Sequence, residues 1–361
     1  MPKMPAPERH GPRRGAHDRH INWRQLRATR PQCGNNSKGE RIMSVLGIDE
    51  ITFGTADLAA CHKFFQDWGL TLLSHSSQEL VFESLNGCRV IVAHSDNPGL
   101  PKGIEPDPTL RQVVWGVANA DDLAACGARL RGQPGYVDDG MRVGCTDPNG
   151  LSIRLQVTQK RPLALDCART NTWGERPRVN QASPAYDRAT PVEVGHVVFF
   201  VLDLAATTAF YQDNLGFRMS DRYPGRGSFL RCEPVGGHHD LFLLQLPSPK
   251  AGLNHVAFTV RDVHEVFGGG MHMSRCGWDT ELGPGRHPVS SAIFWYFQSP
   301  AGALVEYYTD EDQLTDLWQP RDFTPGPTVF AEWAIKGGID GHTRRQKDAA
   351  TPKGQFIADR K

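Results

Sequence analysis

The chain repeats itself, and the repeat limits the folds open to it. Glu50–Leu70 reads EITFGTADLAACHKFFQDWGL, and Gly195–Phe217 reads GHVVFFVLDLAATTAFYQDNLGF. In each, a β-rich run ends at an Asp-Leu pair. An amphipathic helix follows, carries an aromatic pair (Phe64-Phe65 or Phe210-Tyr211) and stops at a glycine. The same strand-then-helix pattern returns in QVVWGVANADDL from Gln112 to Leu123 and in HVAFTVRDVHEV from His255 to Val266. Short alternating strands come after the helices, for instance Leu80–Ser84 with Arg89–Ala93 and Gly227–Arg231 with Leu241–Leu246. Four βαβββ units are therefore expected, two over roughly residues 45–158 and two over roughly residues 190–310.

One such unit leaves an open sheet with a bare apolar face. Two side by side can curl into a half-open barrel and bury that face against their helices. The expected fold is α+β, with four βαβββ modules paired into two domains, each a half-open barrel sheet with helices outside. The domains divide as a disordered N-terminal extension (1–42), a first barrel domain without metal (43–158), a linker (159–191), a catalytic barrel domain (192–322) and a polar tail (323–361). Residues 1–42 are rich in Arg, His, Pro and Gly and lack hydrophobic periodicity; Met43 opens the first strand pattern and is read as an alternative start.

Composition removes several function classes. With 40 basic and 40 acidic residues and no basic stripe, nothing marks a nucleic-acid partner. Apolar runs such as Val197–Leu202 are too short to cross a bilayer. The eight cysteines stand singly, without a C-x-x-C pair, which fits a reducing cytoplasm better than a disulfide framework.

The repeat makes the histidines interpretable. His196 sits in the first strand of unit three and His255 in that of unit four, so they should face each other across one barrel. Glu306 lies on the last strand of unit four, in SPAGALVEYY, where it shares a face with Leu304 by the two-residue period. A single histidine among apolar strand residues is ordinarily a hydrogen-bonded core residue. Two at matched positions of a duplicated unit, with a carboxylate nearby, point to the facial triad that suits Fe(II). Aligning the repeats places Glu50, Gln112 and Arg154 at the same positions of the first half, and that set is not a divalent-metal site. His239 in GGHHD, His287 in GPGRH and Tyr296 in IFWYF form a second set of acid/base and hydrogen-bonding groups.

His196, the H-H-D at 238–240, L-N-H at 253–255, G-P-G-R-H at 283–287, Tyr296 and the S-P-A-G turn leading to Glu306 together resemble the type I extradiol dioxygenases of the vicinal oxygen chelate superfamily. The resemblance covers residues 45 to about 322 and departs from the family's D-P-x-G at Ser299. It implies Fe(II), with Mn(II) as the alternative, on His196, His255 and Glu306. It implies His239 as the acid/base that deprotonates a catechol, and His287 and Tyr296 as hydrogen-bond partners of the bound catecholate. The reaction implied is cleavage of a substituted catechol by O₂ beside the diol, in the degradation of aromatic compounds, by a cytoplasmic homo-oligomer. In homoprotocatechuate dioxygenases an arginine stands five residues before the loop histidine. Leu282 occupies that place here and is assigned to substrate binding, favouring alkyl- or aryl-substituted catechols. A 4-hydroxyphenylpyruvate dioxygenase, a glyoxalase and a non-catalytic binding protein of the same superfamily remain as alternatives.

Overall fold

The computed structural model describes residues 45–336; the expected N-terminal extension, the Met43 start and the tail beyond Lys336 lie outside the described residues. The first half contains β1 (Val45–Thr55), α1 (Leu58–Trp68), β2 (Thr71–His75), β3 (Glu79–Glu83), β4 (Arg89–His94), β5 (Thr109–Val117), α2 (Ala120–Leu130), β6 (Val137–Asp138), β7 (Arg142–Thr146) and β8 (Ser152–Val157). The second half contains β9 (Glu193–Phe200), α3 (Leu204–Leu215), β10 (Arg218–Tyr223), β11 (Gly227–Arg231), β12 (Leu241–Leu244), β13 (Gly252–Thr259), α4 (Val263–Arg275), β14 (Thr280–Arg286), β15 (Ile293–Gln298), β16 (Leu304–Thr309), β17 (Arg321–Asp322), the short α5 (Pro327–Phe330) and β18 (Trp333–Lys336).

Each half is one sheet, in order β2-β3-β4-β1-β5-β8-β7-β6 and β17-β10-β11-β12-β9-β13-β16-β15-β14-β18. Within a unit the last strand returns parallel to the first, as in β1 with β4 and β13 with β16, and the two units meet at the antiparallel pairs β1/β5 and β9/β13. The architecture is α+β, with two half-barrel sheets.

The local chemistry repeats with the fold. Asp57, Asn119, Asp203 and Asp262 each cap a helix by accepting a backbone N–H in its first turn, an arrangement worth ~1 kcal/mol apiece. Gly69 and Gly216 end α1 and α3 in the left-handed region, at φ 99° and 75°, where a side chain would be strained. Helix α4 carries Gly268-Gly269-Gly270 in its middle, at a propensity cost of about 1 kcal/mol each. Those glycines let the sheet lie close: a Cβ on Gly270 would stand 2.0 Å from the Trp295 ring.

Strand alternation sorts the residues by face. On β16, Val305 and Tyr307 belong to the main core shared with the helices, whereas Tyr308 belongs to a small cluster with Ala257, Phe294 and Tyr296. The main core runs through both halves. At its centre Trp68 of α1 stacks on Tyr307, ring centroids 3.5 Å apart, and the Tyr307 hydroxyl donates to the Trp68 carbonyl at 2.7 Å.

Strand pairing repeats to the residue. His196 pairs with Ala257, which pairs with Glu306, and His255 pairs with Leu304. In the first sheet Glu50 pairs with Val114, which pairs with Arg154, and Gln112 pairs with Ser152. Glu50, Gln112 and Arg154 thus hold the positions of His196, His255 and Glu306. Glu50 is bound by Arg142 at 3.0 and 3.1 Å, Gln112 accepts from Ser152 Oγ, and Arg154 donates to the carbonyls of Cys145 and Ile153. Two guanidinium groups stand there, and the one carboxylate is engaged by an arginine.

Candidate active site

Three neighbouring strands of the second sheet bring His196, His255 and Glu306 together. Register and alternation require it: all three point to the face away from the helices. His196 Nε2 lies 3.2 Å from His255 Nε2 and 3.3 Å from Glu306 Oε2, and His255 Nε2 lies 3.2 Å from the same oxygen. Such a triangle is one face of an octahedron with bonds of about 2.3 Å, between the lengths that hard and borderline divalent ions make. All three side chains are buried. Neither Glu306 oxygen has an aligned hydrogen-bond donor, and neither does His196 Nδ1 have a partner. A carboxylate buried in that way is costly unless a cation faces it.

Protonation fits the same reading. Burial, then repulsion from His239, pushes His196 down to about 3, and burial also lowers His255. Both imidazoles are therefore neutral near pH 7, as ligation requires. His255 Nδ1 donates to Asn254 Oδ1 at 2.6 Å, which leaves Nε2 with its lone pair toward the triangle. The donor set of two neutral imidazoles and one ionised carboxylate on one face matches the facial triad.

The second set surrounds this triangle. The His239 ring lies 4.2 Å from that of His196. His287 Nδ1 donates to the Phe330 carbonyl at 2.6 Å, so its Nε2 accepts from the Tyr296 hydroxyl at 3.1 Å. Burial raises Tyr296 well above the ordinary phenol range and keeps it a donor. All six groups line one cavity of about 200 Å³, whose remaining wall is largely apolar and includes Val198, Phe229, Phe242, Leu244, Val329 and Phe330.

Two expectations need correction. Leu282 does not line the cavity. It packs against the small cluster of Ala257, Phe294, Tyr296 and Tyr308, with β18 on its other side. The pairing of β14 with β15 shifts register on both sides of Leu282, so counting residues back from His287 does not give the face. The stretch from residue 323, expected as a polar tail, instead contributes Pro325, Gly326, Val329 and Phe330 to the cavity wall and adds β18 to the sheet edge. Val329 and Phe330 are the apolar residues that anchor it. Asn254, the Phe330 carbonyl and the buried His238 are site-supporting groups that the sequence pattern did not single out. Asn254 in the L-N-H motif and His238 in the H-H-D motif carried the available signal.

Residues 193–307 match the glyoxalase/bleomycin resistance protein/dioxygenase superfamily. The chain is 28% identical over 303 residues to metapyrocatechase 2 of Cupriavidus necator, covering 80% of this chain and 89% of that protein. It is 30% identical over 149 residues to an iron-dependent extradiol dioxygenase of Rhodococcus jostii strain RHA1, covering 36% of this chain and 48% of that one. Among solved structures it is similar to the Mn(II)-bound glyoxalase from Novosphingobium aromaticivorans, with a TM-score of 0.65 at 23% identity over 82% of this chain and 93% of that one. No helix among the described residues is long and apolar enough to cross a membrane. The chain is similar to the extradiol dioxygenases, and its residues 193–307 match the glyoxalase/bleomycin resistance/dioxygenase superfamily.

Proposed function

We propose that the chain is an Fe(II)-dependent enzyme that cleaves an alkyl- or aryl-substituted catechol with O₂ beside the diol. The observation that carries the reading is the triangle of His196, His255 and Glu306 at 3.2–3.3 Å, with a buried carboxylate that lacks hydrogen bonds and three further acid/base groups around it. The facial-triad donor set is the support for iron; among the relatives, one from Rhodococcus is named iron-dependent and one from Geobacillus manganese-dependent. When bound there, iron supplies a Lewis acid for the two diol oxygens and an electron path from the ring to O₂.

The protein's own groups do the rest. His239 takes a proton from the incoming catechol and returns it later. Tyr296 and His287, linked by their hydrogen bond, hold the diol oxygens in place. Neutral His196 and His255 accept no proton at working pH, so the released proton stays on His239. The apolar wall excludes water and receives the ring substituent, at up to ~3 kcal/mol for a large group well buried. Among the described residues Arg226 is the one Lys or Arg side chain on the cavity wall, and it favours a second reading in which the substituent is acidic.

Anaerobic purification, metal assay and O₂ uptake with 3-methylcatechol, 2,3-dihydroxybiphenyl and 3,4-dihydroxyphenylacetate test both. Catechol-dependent uptake with yellow ring-fission products is expected, strongest for the apolar substrates. No uptake by the Fe(II)-loaded protein would overturn the reaction. A wide margin for the acid would overturn the substrate class and turn attention to Arg226.

A further inference from the structure

His239 is backed by a chain of polar groups, buried as far as Asp221, that this reaction scheme leaves idle. His238 is fully buried, and its Nε2 lies 2.9 Å from Asp221 Oδ2. Arg321 clamps the same carboxylate through its backbone N–H at 2.8 Å and its Nη2 at 2.6 Å. On the other side, His238 Nδ1 lies 3.2 Å from His239 Nδ1, and Glu311 Oε1 lies 3.3 Å from that same nitrogen.

Counting donors fixes where the hydrogens sit. Burial works against ionising Asp221, but His238 and Arg321 outweigh it and hold the carboxyl below its ordinary range, so it only accepts. Burial keeps His238 neutral, with a single N–H, and Asp221 takes it. His238 Nδ1 is then a bare acceptor. A bare imidazole nitrogen and a carboxylate both face His239 Nδ1, so that nitrogen carries the hydrogen. Nε2 of His239 is left as a bare base on a ring that lines the cavity.

We propose that His238, braced by Asp221 and Arg321, is a positioning residue that holds His239 in the tautomer presenting a bare Nε2 to the substrate. The proposal rests on the reading of His239 as the acid/base. In the other tautomer Nε2 carries a hydrogen and cannot accept the catechol proton.

Two-bond ¹H–¹⁵N correlation spectra of histidine-labelled protein read the tautomer directly, in the metal-free chain and after adding diamagnetic Zn(II). The His239 signals are assigned by their loss in His239→Asn. The wild type should carry the His239 hydrogen on Nδ1. In His238→Leu, with Glu311 as the remaining acceptor, the Nδ1–H to Nε2–H ratio should fall by roughly two- to tenfold, the effect of one ordinary hydrogen bond. His238→Asn, whose Oδ1 can accept in place of Nδ1, should restore most of it. In the Fe(II) enzyme, kcat should follow the ratio while KM and iron content hold. A wild-type His239 protonated on Nε2 would overturn the proposal, and that spectrum decides even where His238→Leu does not fold. An unchanged ratio in His238→Leu would overturn it too. Failure of the wild type to turn over any catechol would remove the assigned reaction instead, and the tautomer result would stand apart from it.

Discussion

Replacing Glu306 by glutamine separates a metal ligand from a structural ion pair. The side chain is 1% exposed and touches both His196 and His255 Nε2 at 3.2–3.3 Å. If these contacts were a structural ion pair, breaking it would strand a buried charge and cost roughly 3–5 kcal/mol in the metal-free chain. If Glu306 is a ligand, the metal-free chain already holds a carboxylate without aligned donors. The neutral isostere then changes metal-free stability by less than about 1 kcal/mol, or raises it by ~1–3 kcal/mol as an unsatisfied group is relieved. The metal response moves the other way. At a thousand times Kd, a bound ion stabilises the wild type by about 4 kcal/mol. Removing one of three ligands should weaken affinity at least ~100-fold, leaving roughly 1.4 kcal/mol at the same concentration. Urea unfolding of both proteins with and without Mn(II), which tolerates air, gives all four numbers. A metal-free E306Q that loses 3 kcal/mol or more, as the ion-pair cost above predicts, while keeping the wild-type metal response would refute the ligand assignment.

Further outcomes follow from the same geometry. His255→Ala should abolish iron retention and turnover, whereas Gln112→Ala, at the matching position of the first sheet, should leave iron content unchanged; metal assay of purified protein decides. His239→Asn should keep iron and catechol binding and slow turnover by roughly 10²–10⁴-fold, read by steady-state kinetics. A chain ending at Asp322 loses the Phe330 carbonyl that orients His287 and part of the apolar wall; it should keep metal while kcat/KM falls at least ~10-fold. Burial pushes the Asp240 carboxyl up from 3.8 to about 6, so ionising it weakens the fold. That penalty is absent below about pH 4 and complete above about 6, and Asp240→Asn should stabilise the chain by up to ~3 kcal/mol only above that window, by denaturant midpoints across pH.

The convergence of His196, His255 and Glu306 was legible because duplication places equivalent residues at equivalent registers, and strand alternation then decides which way they point. His196, His255 and Glu306 follow from those two rules alone. What orients His239 and His287 around them was not legible. Asp221 and Arg321 are 100 residues apart, and Phe330 serves through a backbone carbonyl, which any residue carries. Leu282 shows the limit of counting along the chain: the register shifts of β14 break the period that the count assumes. The stretch after residue 322 looked polar because its few apolar residues are spaced without period, yet Val329 and Phe330 are enough to seat it on the cavity.

The stack of Trp68 on Tyr307 ties the inheritance of the two halves together. Tyr307 follows Glu306 in the chain, and its ring lies flat on an indole from the half that carries the Glu50, Gln112 and Arg154 set. Chimeras that join the first half of one relative to the second half of another should therefore work only when this indole and phenol travel as a pair. A mismatch would disturb the backbone next to the Glu306 carboxylate while leaving every candidate ligand in the sequence. The first half is in this sense a jig for the second, and recombination has to treat the two as a single cassette.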